Sequence, residues 1–162
     1  MPEVRELTSD DRGWLIAHLN ADWGGPLQAR AGELIDVSRL PGYVAIGDVG
    51  QPVGVLLFRA EGDDLEVALV HAFDQWLGTG TALMECFTTV ARSRDWHRVW
   101  LVTTNDNVDA IRFYQRRGWR LTSMRPGAVD QARDTLKRSI PEQGQHDIPM
   151  RDEFELEWRP TS

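Results

Sequence analysis

A pair of glycines, Gly78 and Gly80, constrains this chain more than any other feature of its sequence. Residues 65–73 before them are almost all apolar, as in a central strand that is buried on both faces. A helical pattern of apolar residues follows. Glycine costs about 0.5–1 kcal/mol relative to alanine inside a helix, so glycines at a helix start indicate a close approach to the backbone. A strand, a Gly-x-Gly turn and a helix together predict an anion site, because the amides and the positive helix end face the ligand.

Two familiar phosphate-binding motifs do not fit this turn. A dinucleotide-binding turn has a third glycine three residues after the second, and Leu83 stands at that position. A P-loop needs Gly-Lys-Ser or Gly-Lys-Thr, and neither occurs in the sequence. The remaining alternative is that the glycines only allow a helix to pack closely on a sheet.

The pattern of the whole chain predicts a mixed α/β fold in one domain, residues 1–162. Helices begin near Ser9, Gly78, Asn107 and Ala128. Strands are predicted at residues 4–7, 43–49, 53–58, 65–73, 97–103, 119–124 and 153–158, whereas residues 27–40 are ambiguous, with a possible strand at 34–37. The strand–helix alternation in the middle implies at least one parallel crossover within a central sheet flanked by helices.

Composition excludes several classes of function. The formal net charge of −7 argues against a nucleic-acid partner, which needs a basic face. The single cysteine, Cys86, excludes an internal disulfide and a cysteine-based zinc site, and no metal is expected. The charged N-terminus lacks an apolar run and no segment is long enough to cross a membrane, so we expect a soluble cytoplasmic protein.

Two ordered motifs resemble those of the GNAT N-acetyltransferase superfamily. The first is Gln75-x-x-Gly78-x-Gly80, and the second runs from Asn107 through Tyr114 to Gly118-Trp119. The interval between them suits one helix and one strand, as that fold requires. The resemblance implies a GNAT-like acyl-CoA N-acyltransferase fold, acetyl-CoA or a related acyl-CoA as cofactor, and a possible homodimer.

The same resemblance implies which residues hold the cofactor. The loop amides from Gln75 to Gly80 hold the pyrophosphate, and the strand edge at residues 70–72 binds the pantetheine by adding to the sheet. Gln75 stands where the family commonly has arginine, although glutamine also occurs there. The residues implied in cofactor binding are Val70, His71, Ala72, Gln75, Trp76, Leu77, Gly78, Thr79, Gly80, Thr81, Asn107 and Tyr114.

Acetyl transfer to an amine needs a base, a polarised carbonyl and an acid for the leaving thiolate. Tyr114 matches the family's tyrosine acid, although a tyrosine on a helix face can also be part of the core. Glu66 is the candidate base; by strand alternation it shares an apolar face with Ala68 and Val70, and the alternative is a carboxylate in solvent or paired with an arginine. His71, on the opposite face by the same alternation, is the fallback base.

The backbone of the central strand is a further candidate group. A bulge is common in this strand of the family, and the amides around Leu69 and Val70 are candidates to polarise the thioester carbonyl. Asn107 most simply caps its helix and reaches the cofactor in the family.

The resemblance also implies an acceptor pocket beside the first helix and the loop that follows it. Asp22 and Trp23 would bind a cationic or apolar group there, together with Glu66. Residues 125–150 are longer than a short hairpin between the last two strands needs, and we expect this segment to close over the pocket. Glu153 or Glu155 is expected to face either the pocket or water. A small-molecule amine is the favoured acceptor, and the alternatives are a non-catalytic acyl-CoA sensor and a protein N-terminal or lysine acetyltransferase.

Overall fold

The computed structural model describes residues 1–73 and 78–160. Its helices are α1 (Arg12–Asp22), α2 (Thr79–Ala91), α3 (Val108–Arg116) and α4 (Ala128–Thr135). Its strands are β1 (Glu3–Glu6), β2 (Leu27–Arg30), β3 (Glu33–Asp36), β4 (Gly42–Ile46), β5 (Pro52–Glu61), β6 (Asp64–Ala72), β7 (Arg98–Thr104), β8 (Arg120–Arg125) and β9 (Glu153–Glu157). Short 3-10 turns occupy Ser9–Asp11, Val37–Arg39 and Gln145–Asp147.

The strands form a mixed seven-stranded sheet in the order β1-β4-β5-β6-β7-β9-β8, and β2 and β3 form a separate two-stranded sheet. The predicted mixed α/β sheet with flanking helices is therefore confirmed. The chain packs as two compact units: the first comprises residues 1–15, 37–99 and 160, and the second comprises residues 16–36 and 100–159. The single domain expected from chain length stays a prediction. None of the helices in the described ranges is long and apolar enough to cross a membrane.

The first unit has its core between α2 and the sheet. Helix α2 packs on β4, β5 and β6 through the apolar stripe expected from the sequence, and Leu83 and Phe87 are fully buried. The rings of Phe58 on β5 and Phe87 on α2 lie 6.1 Å apart. Gly54 of β5 makes room for the start of α2, because a Cβ there would lie 2.5 Å from Cγ2 of Thr79.

The entry into α1 is organised around the buried carboxylate of Asp11. Both terminal nitrogens of Arg5 donate to it at 2.8 and 2.9 Å, as does the Thr8 amide at 2.8 Å. The Trp14 indole N–H donates to the same carboxylate at 2.9 Å. These bonds hold the pKa of Asp11 well below its usual value, because they stabilise the ionised form more than burial disfavours it.

The second unit contains the antiparallel ladders β7–β9 and β8–β9 and the hairpin β2–β3. Glu153 and Glu155 were expected to face the acceptor pocket or water. They are instead buried, with exposures of 3% and 7%. Arg125 donates to both, with Nη2 3.2 Å from Glu153 and Nη1 3.0 Å from Glu155. The amide of Ala31 in the β2–β3 turn also donates to Glu153, at 3.3 Å. These carboxylates therefore belong to an ionic cluster and do not stand alone in a pocket or in water.

Candidate active site

The start of α2 explains the first of the two glycines. Gly78 is the N-cap residue and has φ +77° and ψ +7°, a left-handed conformation that favours glycine. The first helical hydrogen bond runs from the Ala82 amide to the Gly78 carbonyl at 3.0 Å. The amides of Thr79 and Gly80 lie before that bond, so the helix itself supplies no acceptor for them. Gly80 and Thr81 belong to the first turn of α2, whereas Gln75, Trp76 and Leu77 lie outside the described residues.

A β-bulge in β6 changes the predicted faces of the strand. Leu57 of β5 pairs with Leu69, but the next residue, Phe58, pairs with Val67, so Ala68 is the extra residue. The prediction of a bulge in this strand is confirmed. The prediction that Glu66 shares a face with Ala68 and Val70 is wrong, because one extra residue reverses the alternation beyond it.

The register across β5 places Glu66 and His71 on one face of the sheet. Glu66 pairs with Arg59 and His71 pairs with Val55, and these two β5 residues are an even number of positions apart. Strand alternation alone predicted that His71 lies on the face opposite Glu66. That prediction is wrong, because the register places both residues on one face. Val70 and Ala72 pair with Leu56 and Gly54 on the other face, which α2 covers.

Glu66 is a buried carboxylate beside a cation. Its residue is 2% exposed, and its Oε1 lies 3.5 Å from Nε of Arg59. Nη2 of Arg59 also lies 2.8 Å from the exposed carboxylate of Glu61. Arg59 thus holds the Glu66 carboxylate in place on the face of β6 away from α2.

The ring of His71 packs against Phe73 at the end of β6, and Phe73 in turn packs against Trp14. The His71 and Phe73 rings are 5.4 Å apart, and the Phe73 and Trp14 rings are 6.3 Å apart, in edge-to-face arrangements. Since Trp14 is held by Asp11, its ring has a fixed orientation above this end of the strand. Neither Asp11 nor Trp14 was singled out from the sequence as part of a site.

Helix α3 of the second unit carries Asn107 and Tyr114. Asn107 is the N-cap residue, since the Ile111 amide donates to its carbonyl at 3.0 Å. Its side chain makes no capping bond and donates instead to the Thr103 hydroxyl at 3.2 Å, which corrects the simple capping role. The helix ends at Arg116, and Gly118 follows two residues later in a left-handed conformation with φ +89°.

Tyr114 is buried in the second unit. The residue is 8% exposed, and its ring centroid lies 5.4 Å from that of Phe113 and 5.8 Å from that of Trp119. Burial raises the pKa of Tyr114 above its usual value, because it disfavours the phenolate. The phenol is therefore protonated across the neutral range, and its packing fits the alternative that Tyr114 is part of the core.

The two residues expected at the acceptor pocket follow each other at the end of α1. The Asp22 carboxylate lies 3.4 Å from Nδ1 of His18, and its side chain is 52% exposed. Trp23 is half-buried, and its carbonyl accepts a hydrogen bond from the Gln28 side chain at 2.9 Å. The carboxylate of Asp22 is thus paired with the side chain of His18 on the same helix.

Residues 125–150 contact other parts of the second unit on two sides. Helix α4 packs against β2, and Nζ of Lys137 donates to the Leu27 carbonyl at 2.6 Å. The turn Gln145–Asp147 lies against the start of α3, where the Gln145 amide donates to Asp106 at 2.9 Å. The expected closure of this segment over an acceptor stays a prediction.

Comparison with known proteins gives the family. The family model described as the Acetyltransferase (GNAT) family matches residues 4–119. The chain therefore belongs to the GNAT acetyltransferase family. It is 36% identical over 132 residues, 82% of each chain, to the uncharacterized protein YdhI of Bacillus subtilis (strain 168).

Solved structures share the fold. An IAA acetyltransferase from Bacillus cereus ATCC 14579 superposes with a TM-score of 0.72 at 18% identity, covering 98% of this chain and 99% of that one. A GNAT family acetyltransferase from Elizabethkingia anophelis, solved with acetyl-CoA bound, gives 0.66 at 16% identity over 98% and 97% of the two chains.

Proposed function

We propose that this protein is an acetyl-CoA-dependent N-acetyltransferase that acts on a primary amine, preferably of a small molecule. The observation that carries the proposal is the left-handed Gly78 cap, which opens α2 after the bulged strand β6 in a chain of the GNAT family. An anion at that helix start gains from the first-turn amides and the helix dipole. The structure of the Elizabethkingia relative with acetyl-CoA bound supports the choice of cofactor.

In the proposed reaction, a neutral amine attacks the thioester carbonyl directly. Glu66, directly or through a water molecule, accepts the proton that the amine loses, and Tyr114 donates a proton to the departing thiolate. The backbone amides beside the Ala68 bulge, at Leu69 and Val70, are candidates to polarise the carbonyl. The Tyr114 phenol is protonated at neutral pH, as a proton donor must be, whereas the burial that raises its pKa makes it a weaker acid.

The remaining parts of the proposal concern contacts and location. Val70, His71 and Ala72 border the pantetheine, the loop amides from Gln75 to Gly80 hold the pyrophosphate, and Asp22 and Trp23 line the acceptor pocket. A homodimer and a cytoplasmic location complete the proposal, and the free thiol of Cys86 suits a reducing compartment.

Thermal unfolding with and without acetyl-CoA tests the cofactor. At a concentration 100 times Kd, binding adds about 2.7 kcal/mol to the free energy of unfolding. For a chain of this size the melting temperature should rise by roughly 5–10 °C. NAD serves as the control ligand and should leave it unchanged. An unchanged melting temperature at millimolar acetyl-CoA would contradict the proposal.

The rival function is a non-catalytic acyl-CoA sensor that keeps the cofactor site without turnover. Tyr114→Phe removes the proposed acid and preserves the ring, so an enzyme should lose turnover and keep acetyl-CoA affinity. Thiol release across a panel of amines, with affinity measured by calorimetry, separates the two functions. Acetyl-CoA binding without thiol release from any amine or peptide would favour the sensor.

A further inference from the structure

The segment that follows α4 folds into a compact strap, defined as residues 142–150. The Met150 amide donates to the Glu142 carbonyl at 2.9 Å, and the Gly144 amide donates to the Ile148 carbonyl at 2.9 Å. His146 and Asp147 at its tip have φ of +56° and +59°, a conformation that is uncommon outside glycine. The strap is therefore a shaped element held by its surroundings.

Three side chains at the junction of β7 and α3 fasten the strap. Nδ2 of Asn105 donates to the Pro149 carbonyl at 2.9 Å. The Asp106 carboxylate accepts the Gln145 amide at 2.9 Å. Asp109 lies 2.9 Å from Nε2 of His146. Asn105, Asp106 and Asp109 flank Asn107, so the strap holds the chain on both sides of this cap residue.

Asp106 is the buried member of this set. The residue is 3% exposed, and its other oxygen accepts the Thr104 hydroxyl. A Cβ at Gly144 would lie 2.3 Å from Oδ2 of Asp106, so only glycine lets the strap come this close. The carboxylate thus depends on the strap for one of its donors, and a buried acceptor that loses a donor is costly.

We infer that Asp106 and the strap are a positioning device for α3, which sets Asn107 and Tyr114 for acetyl-CoA. This inference rests on the proposed function, since it assigns α3 to the cofactor. Under this inference the strap, which forms the end of the 125–150 segment, supports the binding of the cofactor. Asp106 acts through α3 and is a positioning residue.

A matched pair of substitutions at Gln145 isolates the contact. Gln145→Pro removes the amide that Asp106 accepts, and proline suits the first position of a helical turn that follows the extended Gly144. Gln145→Ala keeps the amide and removes only an exposed side chain. Asp106→Ala and Asp106→Asn form a second pair, in which asparagine retains an acceptor.

The readouts are the Kd of acetyl-CoA by calorimetry and hydrogen exchange at the Ile111 amide, which bonds to Asn107. Gln145→Pro and Asp106→Ala should raise Kd about three- to tenfold, the scale of one buried hydrogen bond, and should speed exchange at Ile111. Gln145→Ala should match the wild type within about twofold, and Asp106→Asn should recover most of the loss.

The possible results separate the two hypotheses. If wild-type protein binds acetyl-CoA and Gln145→Pro binds it equally well, the inference is overturned and the proposed function stands. A rise in Kd without faster exchange at Ile111, or an equal rise in Gln145→Ala, also overturns the route through the strap. Absence of binding by the wild type overturns the proposed function, and the inference with it.

Discussion

At the scale of single residues, the structure bears on whether Glu66 or His71 accepts the proton of the amine. Glu66 and His71 share a face of β6, so their position on the sheet does not separate them. Their described contacts differ, because Arg59 lies beside the carboxylate of Glu66 while the ring of His71 packs on Phe73. We expect Glu66→Gln to lower kcat at least about 100-fold, the usual scale of a general base, and His71→Gln to change it less than about threefold.

Glu61→Gln is the matched control for this comparison. It removes the other carboxylate beside Arg59, at an exposed position, and should leave kcat unchanged. All three variants should keep their acetyl-CoA affinity, because the proposed contact of residues 70–72 with the pantetheine is made by the backbone of the strand edge. If His71→Gln abolished turnover and Glu66→Gln did not, the base would be His71.

Individual residues also show where sequence reasoning reaches its limit. Gly78 and Tyr114 stand in recognisable motifs. The structure gives Gly78 a left-handed conformation that favours glycine, whereas the burial of Tyr114 is what a core tyrosine would show, and its role as the acid stays a prediction. The bulge at Ala68 has no local signature, since alanine fits a regular strand as well, and it reversed the predicted side of His71. Asp106 was missed because its strap lies 39 residues away in sequence.

At the scale of elements, apolar periodicity located the helices and the strands of the large sheet. Helix α2 was expected from Gly78 and begins at Thr79. The hairpin β2–β3 was harder to see, because its two short strands are only partly buried and show no clear alternation. Its turn is held by the Ala31 amide on Glu153, a contact that only the folded chain supplies.

Helix α2 gives a prediction about packing. Gly54→Ala should destabilise the protein by about 1–3 kcal/mol, because its Cβ would lie 2.5 Å from Cγ2 of Thr79 and 3.1 Å from the His71 carbonyl. The start of α2 would shift, so acetyl-CoA affinity should fall with stability. Urea denaturation and calorimetry measure the two effects.

A second substitution tests the cause of that loss. Thr79→Ser removes the methyl group in closest approach, so Gly54→Ala and Thr79→Ser should show a favourable coupling of about 0.5–1 kcal/mol in a double-mutant cycle. Gly13→Ala, where a Cβ meets no atom within 4 Å, should leave stability unchanged or raise it slightly. Strict additivity of the first two substitutions would show that the clash is not the cause.

At the scale of the whole molecule, charge governs how stability depends on pH. The formal net charge is −7 at pH 7 and the isoelectric point is about 5.0. Repulsion among the acidic groups therefore weakens as the pH falls from 7 toward 5. Further acidification then lowers the free energy of unfolding, because the Asp11 carboxylate has a depressed pKa in the folded state.

The stabilisation that Asp11 provides is complete above its unfolded pKa of about 3.9 and is lost as the pH falls through the lower folded value. Asp11→Asn should cost about 1–3 kcal/mol at pH 7, since it weakens the charge-assisted bonds from Arg5, Thr8 and Trp14 that hold the start of α1. Urea midpoints from pH 7 to pH 3 should show the difference in stability between wild type and variant beginning to narrow below about pH 4. Asp63→Asn is the control, because its pair with Arg94 is exposed on both sides and should contribute less than about 1 kcal/mol. A gap that stayed constant to pH 3 would show that groups other than Asp11 cause the acid sensitivity.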